Sequence, residues 1–298
     1  MILYDCGGFI YEMQKIKYKK IFSSASNHTE RMSVTRNILL NVLIDYTKKY
    51  KSKYGNLVLC FDGKGGYWRK DFFPYYKSNR KKYQEKDSFD WQELFICINE
   101  LYQEFKEYLP VVSLNIDKCE ADDIIACLCK YFQDNETDIL GNPSNHIIIS
   151  NDHDLSQLQF YDGITNFSPR LGKEIVLNNK EVHELLITHI CCGDAGDGVM
   201  NICSDDDVFI NEDKKQNVFR KSRLEEFFND GINACKNDTE KRNFQRNKKL
   251  VDLINEIPEE YYNKIIEDYK NFKCNYKINE YVMKYRLSNL YAKIQFLL

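Results

Sequence analysis

The chain has 298 residues, 42 of them Lys or Arg against 45 Asp or Glu, for a formal charge of −3. With 43% hydrophobic and 29% charged residues, the composition excludes disordered and collagen-like chains and suits one large domain or two smaller ones. No apolar run is long enough to cross a bilayer as a helix.

Met1-Ile2-Leu3-Tyr4 leads into Asp5 without a basic region or a long apolar stretch, so a cytoplasmic location is expected. The 11 cysteines fall on apolar periodic positions such as Cys60, Cys97, Cys127 and Cys129, and no Cys-x-x-Cys pair occurs. Reduced, buried thiols are expected rather than disulfides or a zinc site.

In chain order, Asp5 closes a short apolar run. Ile38, Leu39, Val42, Leu43 and Tyr46 then recur at helical spacing, which predicts a helix with its apolar stripe against a sheet. The run Asn56-Leu57-Val58-Leu59-Cys60-Phe61 before Asp62 reads as a buried strand. Between Lys64 and Lys86 stand eight Lys/Arg against two acids, a local excess of six positive charges that can steer a polyanion whatever the total. Asp90 and Glu93 predict the capped start of a helix that buries Leu94, Phe95, Ile98, Leu101, Tyr102, Phe105 and Leu109 until Pro110 stops it. Val111 to Leu114 reads as a third strand. Glu120 to Gln133 reads as a helix whose first turn carries acids, where unpaired N–H groups and the helix dipole lower the cost of carboxylates. Residues 134–145 read as a surface loop, and His146 to Ser150 as another buried strand before Asp152.

After about Val176 the β-rich runs stop. Val182, Leu185, Leu186, His189 and Ile190 mark one amphipathic helix, and apolar positions from Leu250 to Ile266 mark later ones. Residues 204–249 are dense in both charges with few apolar anchors, so mobility is expected there. The expectation is an α/β domain over 1–176 with a mostly parallel central sheet flanked by helices, followed by a helical domain over 177–298.

Nine acids fall in five clusters along this pattern: Asp5; Asp62; Glu120, Asp122 and Asp123; Asp152 and Asp154; Asp194 and Asp197. A carboxylate ending a parallel strand sits at the sheet's carboxyl edge, so several strands can aim acids at one place. Such a gathering needs positive charge, because close carboxylates otherwise drive one another to take up protons. Oxygen-only ligands suit Mg²⁺ or Mn²⁺, and two such ions roughly 3.5–4 Å apart are the arrangement that cuts phosphodiesters. Taken singly, each cluster reads equally well as helix capping or solvated charge; the ordered set of five favours the metal site.

Lys77 and Arg80 are three apart and share a face if their segment is helical, so both can point at the acids. Tyr67, Trp68, Phe72, Phe73, Tyr75, Tyr76 and Tyr83 interleave with the cations and can stack on unpaired bases where exposed. A solvated helical face is the bland alternative for this stretch, and the seven accompanying aromatics weigh against it. His153, between two acids, is expected to face outward; His28, His146, His183 and His189 are assigned to packing or surface. Asp205, Asp206 and Asp207 are read as a solvated loop.

Asp62 followed by Trp68-Arg69-Lys70 and Tyr76-Lys77-x-x-Arg80 resembles the 5′-nuclease superfamily, the flap endonucleases and 5′→3′ exonucleases. Within it the motifs are nearest the RNase H branch of T-even bacteriophages. Ile116 to Asp123, Ile149 to Leu158 and Gly193 to Asp197 follow in the family's order, so the resemblance extends over nearly the whole chain. It implies a PIN-like sheet and two Mg²⁺ ions, with Mn²⁺ able to substitute. Asp5, Asp62, Glu120, Asp122 and Asp152 would hold the tighter ion; Asp154, Asp194 and Asp197 would hold the second, with Asp123 a further candidate. Asp5, Asp62, Asp152, Lys77 and Arg80 would be catalytic, with Lys77 and Arg80 in an arch over about 64–90. Nucleic acid would be contacted by Arg69, Lys70, Tyr76, Lys77, Arg80 and Lys81. The resemblance also implies a helix–three-turn–helix-like element that grips duplex phosphates with a K⁺ ion, although Met200-Asn201-Ile202-Cys203 stands here in place of a Gly-rich hairpin.

The function so implied is 5′→3′ exonuclease and flap cleavage on duplex, flap or RNA/DNA hybrid substrates, by a monomer without membrane contact. RNA-primer removal in phage replication would be its task, with a single-strand-binding protein or sliding clamp as partner. The Asn, Lys, Ile and Tyr bias suits a phage with an AT-rich genome. Two rival readings are a PIN-like ribonuclease, which is usually shorter and lacks the arch, and a catalytically inactive nucleic-acid-binding module, against which the intact acids speak.

Overall fold

The computed structural model describes residues 1–9, 13, 16–80, 84, 87–137, 141 and 144–297. Its centre is a six-stranded sheet of β1 (Ile2–Asp5), β2 (Leu57–Phe61), β3 (Val112–Asn115), β4 (His146–Ile149), β5 (Ile164–Ser168) and β6 (Lys173–Ile175). The strand order is β3-β2-β1-β4-β5-β6. Every pairing is parallel except β5 with β6, which runs antiparallel at the edge.

Strands buried on both faces explain the continuous apolar runs of the sequence. Ile2, Tyr4, Leu57, Leu59, Phe61, Ile147 and Ile149 enter one core cluster. The alternate residues Leu3, Val58, Cys60 and Ile148 enter the other, as the two-residue period of a strand requires.

The helices are α1 (Ile16–Ser24), α2 (His28–Tyr54), α3 (Trp68–Phe72), α4 (Trp91–Tyr108), α5 (Ala121–Asn135), α6 (Asn179–Cys192), α7 (Leu224–Asp230), α8 (Asp238–Val251), α9 (Glu259–Asn271), α10 (Ile278–Lys284) and α11 (Tyr291–Ile294). Helices α2 and α4 cover the first face of the sheet, with Leu39, Leu43, Leu94 and Leu101 fully buried. Helix α5 covers the second, through Ile124, Ile125 and Leu128. The predicted cap forms at Asp90, whose Oδ1 accepts from Glu93 N at 3.1 Å, and Asn27 Oδ1 caps α2 by accepting from Glu30 N at 3.0 Å. The last helices return to the sheet, since Ile265 and Ile266 join the second cluster and Tyr281, Leu290 and Ile294 the first.

A third cluster gathers Phe73, Tyr76, Ile190, Val199, Met200, Phe227, Phe244 and Leu250. It bears on the reading of 204–249 as a mobile stretch with few apolar anchors. Val208, Phe227 and Phe244 enter it, with Phe209, Phe219, Leu224, Phe228 and Ile232 packed against them, and buried asparagine amides, which a count of apolar residues passes over, add further anchors. Asn243 Nδ2 donates to the carbonyls of Ile202 (2.9 Å) and Ser204 (3.0 Å), and Asn247 Nδ2 to those of Ile190 (2.8 Å) and Met200 (2.7 Å). Both side chains are fully buried, where a satisfied amide holds position and an unsatisfied one costs about 1–3 kcal/mol.

The strand order reverses between β1 and β4. In open parallel sheets ligands bind in the crevice at such a switch point, beyond the carboxyl ends of the strands.

Candidate metal centre and nucleic-acid interface

Asp5 is the last residue of β1 and Asp62 follows β2, so neighbouring parallel strands deliver two carboxylates to one edge. A Cβ built on Gly7 would meet both, at 3.1 Å from Asp5 Oδ1 and 3.3 Å from Asp62 Oδ2. Asp62 Oδ1 also accepts from Ala121 N at 2.9 Å, so it caps α5 and draws the acids of that helix's first turn to the same edge. Across the switch point, Ser150 Oγ donates to Asp5 Oδ2 at 2.6 Å and accepts from Asp152 N at 2.9 Å. Asp152 Oδ1 then accepts from Asp154 N at 2.8 Å. Glu120, Asp122, Asp154, Asp194 and Asp197 line one cleft together with Arg69 and Tyr76.

Electrostatics follow from this crowding. Burial raises the Asp5 carboxyl above its usual range, against hydrogen bonds from Ser150 and Gly8. Asp62 rises to about 6, through burial and then the field of Glu120. Asp152 rises to about 7, through burial and the field of Asp154. Asp122 is pushed well up by burial and by Asp152, Asp5 and Glu120. Burial works the same way on Asp197, yet Lys77 and Arg80 overcome it and hold that carboxyl below its usual range.

The cradle therefore favours added positive charge, and in this structure Lys77 brings some. Its Nζ pairs with Glu120 and lies 3.3 Å from Asp197 Oδ2. Arg80 pairs with Asp197 as well. A donor set of carboxylate oxygens, desolvated and mutually repelling, fits hard divalent cations. Among the described residues, three ligand atoms lie within 4.8 Å of one another only in His153, Asp154 and His189, and in His28, Glu93 and Cys97 away from the cleft.

Several expected roles change with burial. Arg69 is 2% exposed and faces inward. Its guanidinium lies 3.0 Å from Glu120 Oε2 and 2.8 Å from Asp123 Oδ1, and its Nε donates 2.8 Å to the Leu250 carbonyl. It is a strut under the cleft, not a group on the approach. Asp123 is fully buried; it accepts from Glu120 N at 2.9 Å and from Trp68 Nε1 at 3.2 Å. With those partners and Arg69 it does not join the open cluster. Tyr76 is also buried, its hydroxyl 2.9 Å from Glu120 Oε2 and 3.2 Å from Asp197 Oδ2, so it orients acids rather than stacking on bases.

Lys77 and Arg80 do reach the acids, but not from one helical face. Lys77 sits in a turn with φ 55°. Its N–H donates to the Asp197 carbonyl at 2.7 Å, and Asn79 Nδ2 donates to that of Ala195. The basic segment is thus docked on the Gly193–Asp197 turn through backbone. Gly198 permits this: its φ is +70°, and a Cβ there would lie 3.1 Å from the Tyr75 carbonyl. Lys70 is partly exposed beside Tyr67. Lys81 and Tyr83 lie outside the described residues.

Two groups near the acids escaped the sequence reading. Ser150 carries no motif of its own beyond preceding Asn151-Asp152. His189, assigned to packing, places Nδ1 2.8 Å from Asp154 Oδ1. Burial opposes its charge, but Asp154, Asp194 and Asp152 outweigh that and raise its pKa. Its helical stripe concealed it, and only its position one turn before Gly193-Asp194 could have flagged it.

The family model of the 5′-3′ exonuclease N-terminal, resolvase-like domain matches residues 7–186, and the chain belongs to that nuclease family. It is 33% identical over 267 residues to the Ribonuclease H of Enterobacteria phage T4, covering 87% of this chain and 85% of that protein. Among solved structures, the T5 5′-exonuclease with divalent zinc ions aligns with a TM-score of 0.63 at 17% identity, over 91% of this chain and 98% of that one. The flap endonuclease of bacteriophage T5 in a complex with DNA and metal ions aligns at 0.61 and 17% identity, over 91% and 99%. At that identity the structural likeness speaks for the fold.

Proposed function

We propose that this protein is a Mg²⁺-dependent 5′→3′ exonuclease and flap endonuclease that acts on 5′ ends in RNA/DNA or DNA/DNA duplexes and removes RNA primers. The observation that carries this reading is the convergence of Asp5, Asp62, Glu120, Asp122, Asp152, Asp154, Asp194 and Asp197 on one edge of the sheet, with Lys77 and Arg80 reaching in from the basic segment.

Asp5, Asp62, Glu120, Asp122 and Asp152 would hold one ion, and Asp154, Asp194 and Asp197 the other. Bound there, divalent ions supply an acidified water and neutralise charge on the attacked and leaving oxygens. The chain's own groups do the rest. Ser150 holds Asp5 and Asp152 in register, and Asp62 is oriented by the α5 N-terminus. Lys77 and Arg80, which pair with Glu120 and Asp197, are placed to turn to the scissile phosphate once those acids are engaged. Such cationic clamps act through charge that develops in the transition state. Lys70 and Lys81 would contact the substrate backbone.

The test is cleavage of 5′-labelled flap, nicked-duplex and RNA/DNA hybrid substrates with Mg²⁺ or with EDTA. Asp152→Asn should abolish cutting while retaining binding, and Lys77→Ala should slow cleavage severely while leaving the protein folded. Wild-type rates for Asp152→Asn would overturn the assignment. Cutting confined to single-stranded RNA would favour a PIN-like ribonuclease, and binding without cutting an inactive binding module.

A further inference from the structure

The acids of the cleft are oxygen ligands throughout, with one local exception. Asp154 opens the 3₁₀ turn after β4, and two imidazoles approach it from different elements. His189, on α6, places Nδ1 2.8 Å from Asp154 Oδ1. His153 places Nε2 3.7 Å from the same oxygen, and its Nδ1 lies 3.9 Å from Asp152 Oδ1. The two rings stand nearly perpendicular with centroids 4.8 Å apart. One ligand atom from each of the three residues lies within 4.8 Å of the other two.

We propose that His153 and His189, with Asp154, give the second ion position a mixed nitrogen and oxygen character that captures a transition-metal dication such as Mn²⁺ or Co²⁺ in preference to Mg²⁺. This rests on the metal-centre reading above and adds a choice of metal to it. Imidazole nitrogen suits the first-row transition ions, whereas Mg²⁺ keeps oxygen ligands and water. The carboxylates of Asp5, Asp62 and Asp122 have no imidazole among their hydrogen-bond partners in the described residues, so the difference in donor set separates the two ion positions within one cleft. His153 is free to swing onto an ion, its side chain being 65% exposed. His189 is held, its side chain being 13% exposed.

Pulsed electron paramagnetic resonance of Mn²⁺ titrated into the metal-stripped full chain reads the proposal directly, because directly bound imidazole nitrogen couples to the ion. The wild type should show nitrogen coupling. Replacing both rings (His153→Ala with His189→Gln) should remove it and lower the Co²⁺-to-Mg²⁺ affinity ratio, measured by calorimetry, by about tenfold or more, the scale of losing a group that tunes a metal site. His189→Gln keeps a hydrogen-bonding side chain beside Asp154, so a merely structural histidine would be rescued by it with coupling and ratio unchanged. His153→Ala alone alters an exposed residue and guards against misfolding; it should weaken the coupling. Mn²⁺ binding without nitrogen coupling in the wild type overturns this inference alone. Failure of every ion to bind overturns the metal-centre reading with it.

Discussion

Replacing Arg69 separates a structural from a substrate role more sharply than any other change. Its guanidinium reaches three groups at once: Glu120, Asp123 and the Leu250 carbonyl, at 3.0, 2.8 and 2.8 Å. Burial opposes its charge, but Asp123 and Glu120 more than offset this and keep it protonated. Arg69→Met would leave the buried Asp123 without its cation and Glu120 with Lys77 alone. Breaking a buried pair in this way costs about 3–5 kcal/mol. For a chain of this size that lowers the melting temperature by roughly 6–10 °C, at about 2 °C per kcal/mol. Lysine at this position keeps the charge but not the fork, so Arg69→Lys should fall between. Lys70→Ala, next door and partly exposed, should stay within about 0.5 kcal/mol of wild type while weakening duplex binding at low salt. Thermal melts in EDTA and salt-dependent binding curves measure both effects. If Arg69→Met melts like Lys70→Ala and loses only binding, the buried-strut assignment is wrong.

The adjacent acids of α5 should divide in the same way: Asp122→Asn should stop cleavage with little loss of stability, and Asp123→Asn should destabilise first, as urea titrations beside rate measurements would show. Gly198→Ala forces a left-handed φ on a residue with a Cβ and crowds the Tyr75 carbonyl. A cost of about 1–3 kcal/mol and a slower cleavage step are expected, and an unchanged rate would mean that docking of Lys77 on the Asp197 turn is irrelevant. Glu240 is held down to about 2 by its hydrogen bonds from Arg223, against burial. Its folded pKa is depressed, so its contribution is present above the unfolded value of 4.5 and is lost as pH falls toward about 2. Glu240→Gln should therefore flatten the loss of urea resistance between about pH 5 and pH 3; an identical slope would contradict the assignment.

The sheet was legible because strands buried on both sides leave uninterrupted apolar runs, as at 57–61 and 146–149, and because acids follow those runs. Convergence of the acids could be anticipated from parallel-strand geometry alone. Which charged groups turn inward could not. Arg69 and Lys70 are neighbours of the same type, and only the packing of α3 against Leu250 decides that one is buried. Lys77 and Arg80 were expected on a helical face, yet a left-handed residue at Lys77 aims them, and nothing in a lysine's identity signals such a backbone. His189 was hidden by its own helical stripe. The anchors of 204–249 were underrated because its apolar residues, such as Val208, Phe227 and Phe244, are scattered without a period, and because Asn243 and Asn247 add amide hydrogen bonds that hydrophobic periodicity does not register.

The lysine in the cradle bears on how the protein is handled in the laboratory and in a cell. With Lys77 and Arg80 already offsetting Glu120 and Asp197, the polypeptide is expected to fold without waiting for ions, unlike small domains that collapse only around their metal. Chelation should then be a reversible off-switch: stripped protein stays intact, can be reloaded with a chosen ion, and regains its chemistry without passing through refolding.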